Sequence, residues 1–235
     1  MSETWEWLRT SPVAMLLLTL LAYRVGRQVQ TWTGGHALAQ PVLVAILLVA
    51  PVITLLDVDY ADYRRGAELI AFMLGPATVA LAIPLHRQAH RLRGFVVPML
   101  VAVLLGAAVS ITSAVLLVQA LGGSELLART TAPKAATAPV AIALADAGGG
   151  IPALAAVLAI LAGILGAVAG PAVLTLLRVR DHRARGLAQG AVSHGIGASR
   201  MLADHETEGA FAGLSMGLTA LAMSLLLPLL LAVLL

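Results

Sequence analysis

The stretch "GAVSHGIGASR", residues 190–200, decides how this chain folds. It sets two serines, a histidine and an arginine among three glycines inside a sequence otherwise dominated by apolar side chains. A helix that crosses lipid in one piece needs none of them. Glycines that interrupt such a helix expose amide and carbonyl groups that lipid cannot satisfy, so the segment has to line protein or water. Ser193, His194, Gly195, Gly197 and Arg200 are therefore candidates for a polar site at membrane depth.

The surroundings make the membrane explicit. Of 235 residues, 60% are hydrophobic and 11% charged, and the mean hydropathy is +0.94, more than a soluble surface tolerates. Aromatics are only 4%, so the apolar mass is Ala, Leu and Val. That composition suits helices packed through small residues rather than an alternating barrel pattern. The expected fold class is all-α: one polytopic helical domain over residues 1–235, in the plasma (inner) membrane. The net charge of +3 does not indicate a nucleic-acid binder, because the arginines sit in short clusters between apolar runs without aromatic interleaving. With no cysteine there is neither a disulfide framework nor a thiolate site. The opening "MSETWEWLRT" has no basic n-region and no small-residue cleavage signal after it. It is expected to be retained, with Trp5 and Trp7 at the interface.

Runs of the length a bilayer requires occur at residues 7–23, 37–56, 66–85, 95–121, 151–177 and 209–235, which predicts six spans. Segments 131–147 and 186–203 are rich in small residues, interrupted by Gly or Pro, and are expected to be broken, re-entrant helices. The basic loops 86–93 and 178–185, with Arg24 and Arg27, belong in the cytoplasm by the positive-inside rule. That holds if 131–147 dips in from outside and 186–203 from inside. Both termini and the acidic "DVDYAD" (57–62) then lie outside. A weak repeat at an offset of 60 lays "LGAAVS" (105–110) on "LGAVAG" (165–170) and Lys134 on His194. Because the matching spans run in opposite directions, the chain is expected to contain inverted repeats.

Lys134 is the single lysine of the chain. It lies in "TTAPKAATAPVAIAL" (130–144), between Pro133 and Pro139. An ammonium at membrane depth faces either a wet cavity and an anion or, by snorkelling, the outer interface; both readings are open. Thr137 precedes Pro139, a first-turn residue, so its hydroxyl can join free amides in holding an anion or can bond its own backbone. His194 can carry a coupling proton or bind a carboxylate, or serve as an interhelical hydrogen bond. Arg200 can fork onto a carboxylate or a phospholipid headgroup. The run "ADHETEGAF" (203–211) matches no zinc or calcium spacing and is expected to be a solvated acidic loop at a helix N-terminus. "LGPATVALAIPL" (74–85) is expected to break its span at Gly75 and Pro76, as a kink or a further cavity element. Ser193 next to His194 makes no hydrolase, since helical neighbours point about 100° apart and no G-x-S-x-G elbow is present.

"LGPATVALAIPL", "PKAATAPVAIAL", "GGIPALAAV", "GILGAVAGP", "ARGLAQGAVSHGIGASRML" and "ETEGAFAGLSMGL" together resemble the LrgB/CidB antiholin-like membrane proteins, from about Pro41 onward. The family pattern P-K-S-V-T-T-P-I-A is matched at Pro133, Lys134, Thr137 and Pro139, with Ala135 and Ala138 where the family carries hydroxyls. S-H-A-I-G-T-A-R is matched at Ser193, His194, Gly197 and Arg200, with Ala198 in place of the threonine. The resemblance implies two roles. One is a carrier of small monocarboxylates of the pyruvate, glycolate and glycerate class, coupled to a proton or sodium ion. The other is an antiholin-like modulator of murein hydrolase activity and lysis, working with a small holin-like partner. No enzyme activity and no cofactor or metal is expected, and a homo-oligomer in the lipid bilayer is. The lysine, the histidine and two helix breaks favour the carrier.

Overall fold

A computed structural model describes residues 6–7, 9–36, 39, 41–80 and 94–235. Trp5, the basic loop 86–93 and the end of the third expected span lie outside these residues. The chain forms two compact units, residues 1–80 and 81–235, and the described residues are helical with no strand. This is a helical membrane protein with several spans.

The first unit holds α1 (Pro12–Trp32), α2 (Pro41–Leu55) and α3 (Tyr60–Ala80). Ser11 caps α1 by accepting from the Ala14 amide at 3.4 Å, and Pro12 supplies the preset φ of the first turn. Gly26 lets α1 close on the backbone of Pro41, and Gly66 lets α3 close on that of Pro12. The Thr19 and Tyr63 hydroxyls join α1 to α3 at 3.0 Å.

The expected six spans are not all present as long apolar helices among the described residues. The first helix runs nine residues past the expected end at residue 23, because arginine and glutamine propagate a helix as well as leucine does and a single interior glycine, Gly26, does not stop it before Gly34. At 15 residues α2 reaches only about 22 Å, short of a hydrocarbon core of about 30 Å. Helix α3 begins at Tyr60 and carries Arg64, Arg65 and Glu68. It also continues through Pro76 to Ala80, without the expected break.

The second unit holds α4 (Val96–Ala120), α5 (Glu125–Thr131), α6 (Ala138–Ala147), α7 (Pro152–Leu176), α8 (His182–Asp204) and α9 (Glu206–Leu234). Among the described residues α4, α7 and α9 are the three helices long and apolar enough to cross a membrane. Their inner faces are narrow stripes of spacing four, such as Met99, Val103, Ala107, Ile111 and Val115 on α4, or Ala155, Ala159, Gly163 and Ala167 on α7. Leu161, Leu165 and Val168 of α7 point outward, as lipid-facing residues do.

The C-termini of α4 and α9 share one end of this unit, where the Gln119 amide donates to the Leu234 carbonyl at 3.1 Å. At the other end Phe95 meets Phe211 edge-on, with ring centres 5.7 Å apart. Both expected re-entrant segments are hairpins between these ends. The first comprises α5, a turn and α6. It opens beside the α4 and α9 C-termini, where Arg129 donates to the Gly148 carbonyl (3.0 Å) and the Ile151 amide donates to the Thr130 hydroxyl (2.9 Å). The second is α8 itself, folded back at His194. Its start and end share the opposite mouth, where the His182 and His205 rings stack 3.9 Å apart.

Candidate functional site

The turn of the first hairpin is built by proline. Pro133 has no amide and disfavours helix before it, so α5 stops, and the Lys134 and Ala136 amides bond back to Thr131 and Pro133. Thr137 then starts α6 in extended geometry. Its side chain makes no capping bond, which leaves the hydroxyl and the first amides of α6 turned to the break. Lys134 is half-buried, and its ammonium donates to the Ser110 carbonyl (3.2 Å) and hydroxyl (3.1 Å) near the middle of α4. No carboxylate pairs with it among the described residues. That leaves a cation held by neutral oxygens alone.

The turn of the second hairpin is His194, whose φ of 40° and ψ of −131° lie outside helical space. A non-glycine residue held there carries about 1–3 kcal/mol of backbone strain. The ring is buried and faces the backbone carbonyl of Lys134, so the two breaks that the offset of 60 aligned meet in space. Among the described residues Nε2 of His194 is buried without a partner, and so is Oγ1 of Thr219 on α9.

Helix α7 makes room for this. Gly163, Gly166 and Gly170 each stand where a Cβ would strike a polar side chain of α8: His194, Ser193 and Gln189 respectively. The Gln189 amide donates to the Gly166 carbonyl (2.8 Å) and to the Ser193 hydroxyl (3.1 Å). Arg200 donates to the Ala167 carbonyl at 2.9 Å. That oxygen lies four residues before Pro171, which has no amide to offer it. Arg200 thus takes the place of a missing helical donor.

The sequence-selected residues divide accordingly. Lys134 and His194 come together, and Ser193 joins them through α7. Gly197 is buried against Ser193 and Gln189, where it lets the returning half of α8 lie on the outgoing half. Gly195 is exposed, and a Cβ there would meet only Met216, at 3.7 Å. Thr137 and Arg200 make no hydrogen bond to Lys134 or His194 among the described residues. Three polar residues were not singled out in the sequence: Ser110, Gln189 and Thr219. A signal existed for Gln189, an uncharged amide one turn before Ser193 in a small-residue segment.

The expected solvated acidic loop is corrected at Glu208. Its side chain is 8% exposed and binds Arg185 (3.1 Å) and His182 (2.8 Å), because the folded-back α8 brings its own start against that of α9. Glu206 remains exposed in the first turn of α9. No cluster of three metal-ligating side chains occurs among the described residues. At the same mouth Asp181 caps α8, accepting from the Arg183 amide at 2.8 Å. The Arg183 guanidinium holds the Asp181 carboxyl below the usual carboxylate range. A depressed pKa contributes stability above the ordinary carboxylate pKa, and this is lost as pH falls through the folded value. Asp181→Ala is expected to cost about 1 kcal/mol in thermal unfolding at neutral pH, and less in acid.

The profile of the LrgB-like family matches residues 19–233. The chain is 36% identical to "Uncharacterized protein YxaC" of Bacillus subtilis over 80% of this chain and 82% of that one. It is 33% identical to "Uncharacterized protein YwbG" of the same organism over 89% and 92%. It is 27% identical to "Antiholin-like protein LrgB" of Bacillus cereus over 93% and 95%. No solved structure matches. A profile match that runs through both units, over residues 19–233, places this chain in the LrgB-like family.

Proposed function

We propose that this protein is a carrier of small monocarboxylate anions, of the pyruvate, glycolate and glycerate class, with its site where the two hairpins meet. The observation that supports this most is Lys134: a half-buried ammonium held, among the described residues, by neutral oxygens alone, placed beside the turn of the opposing hairpin. Such a charge is costly inside a membrane protein unless an anion visits it. A carboxylate taking over the Lys134 ammonium would meet the Ser110 hydroxyl and the Thr137 end of α6. Nε2 of His194 would be left to hydrogen-bond it or to pass a coupling proton; a sodium ion is the other coupling candidate. Hairpins entering from opposite ends are the geometry of an inverted repeat, in which access can alternate about a fixed site. The anion leaves unchanged, and no catalytic step is assigned.

A second reading is favoured by the names of relatives. Those whose names state a role are antiholin-like, which speaks for modulation of murein hydrolase activity and lysis together with a small holin-like membrane partner. One experiment separates the two. Purified protein in proteoliposomes is offered a labelled monocarboxylate panel with and without imposed proton or sodium gradients, and the same variants are scored for lysis in cells. Gradient-driven uptake that is lost in Lys134→Ala supports the carrier. No uptake of any panel member, with lysis control intact in Lys134→Ala, removes the carrier and leaves the antiholin-like role.

A further inference from the structure

The turn between α7 and α8 borders an open cavity of about 480 Å³, whose lining includes Thr175, Arg178, Arg180, His182, Arg185 and Glu208. It lies at the mouth of the second hairpin, well away from Lys134 in the middle of the unit. Two of its basic side chains are committed: Arg185 and His182 both hold Glu208, and Arg185 also donates to the Val179 carbonyl at 3.1 Å. Arg178 and Arg180 are exposed and have no side-chain partner among the described residues.

The backbone at Arg178 points the same way. The Val179 amide bonds the Leu174 carbonyl (2.9 Å) and the Arg178 amide bonds that of Thr175 (3.0 Å). This double closure ends a helix on a left-handed residue, a position glycine fills most cheaply. Here φ is 58° and the residue is arginine. The corresponding closure after α2 uses Asp57, a type that tolerates this region far better. Retaining arginine in a strained position is what a side chain kept for its guanidinium would look like.

We propose that this cavity binds a phosphate-bearing anion, with Arg178 and Arg180 as its two guanidinium forks. Two uncommitted planar cations match the charge and bidentate geometry of a phosphate group, whereas a small monocarboxylate needs only one. The volume falls within the range of small-ligand sites. Two sources carry that chemistry: the headgroup of an anionic glycerophospholipid, and a soluble phosphate.

The test uses the full-length protein in detergent. Phosphatidylglycerol and phosphatidylcholine are titrated by native mass spectrometry, and inorganic phosphate by calorimetry. The double variant Arg178→Gln/Arg180→Gln is compared with Arg24→Gln/Arg27→Gln, which removes the same charge from α1. Tenfold or greater weakening in the first and none in the second is expected. Loss confined to phosphatidylglycerol assigns the lipid source, and loss confined to phosphate the soluble one. Arg178→Gly is expected to weaken binding severalfold while raising the melting temperature measured without ligand, since glycine relieves the backbone. Absence of binding by either probe, equal loss in both double variants, or an Arg178→Gly protein that binds as well as wild type would each overturn the proposal.

Discussion

Lys134→Ala is expected to abolish carboxylate uptake in proteoliposomes while folding and incorporation stay at wild-type levels. Among the described residues the ammonium is bound to the carbonyl and hydroxyl of Ser110 and to no carboxylate, so its removal strands no buried counter-charge there and does not carry the large penalty of breaking a buried ion pair. The substrate loses a charge-assisted hydrogen bond of about 1.5–3 kcal/mol, which alone is a tenfold to hundredfold loss of affinity before any orientation is counted. Lys134→Met retains the apolar stem and should fail equally. Lys134→Arg should also be poor, because a broad fork replaces a compact point charge beside α4. Near wild-type uptake in Lys134→Ala would show that the lysine only packs against Ser110 and takes no part in binding substrate.

Gly190→Leu is expected to destabilise the protein by about 3 kcal/mol or more, at or above the upper end of ordinary overpacking. A Cβ at Gly190 would run into the Ala212 carbonyl of α9, and one at Gly186 into that of Glu208. Backbone atoms have no rotamer to escape into, so α8 and α9 would have to part along the seam that the two glycines hold closed. Gly213→Leu is the matched control. Its Cβ would meet nothing within 4 Å, and its effect should stay within about 0.5 kcal/mol. Thermal unfolding of the two variants in detergent, followed by size-exclusion fluorescence, makes the comparison. Equal melting temperatures would contradict the seam.

Helices α4, α7 and α9 and both hairpins were legible in the sequence because their apolar runs end at glycine, proline or charge, which stop helix and lipid exposure together. The first unit was not. In α1 the helix continues over Arg24 and Arg27, so hydropathy marked where the apolar surface stopped rather than where the hydrogen bonding did. Lys134 and His194 stood out as titratable groups in apolar surroundings. Gln189 and Thr219 did not, because a neutral polar residue within a helix is ordinary until its burial is known. That burial depends on glycines of another helix: Gly166 and Gly170 receive Ser193 and Gln189. Glu208 was misread for a related reason. Its partners, Arg185 and His182, become neighbours only once α8 turns back.

The seam between α8 and α9 also constrains the order in which the protein can be made. Helix α8 carries Arg183, Arg185 and Arg200, with His182 and His194, and each arginine placed deep in lipid costs about 2.5–3.5 kcal/mol on insertion scales. It cannot partition from the translocon as a free helix. Gln189 and Arg200 find acceptors on α7, whereas Arg185 and His182 find theirs, and the two seam glycines their counterpart, on α9, the segment synthesised after it. Stable insertion of α8 is therefore expected to require both neighbours, so that the order of synthesis leaves α8 unsupported until α9 follows it.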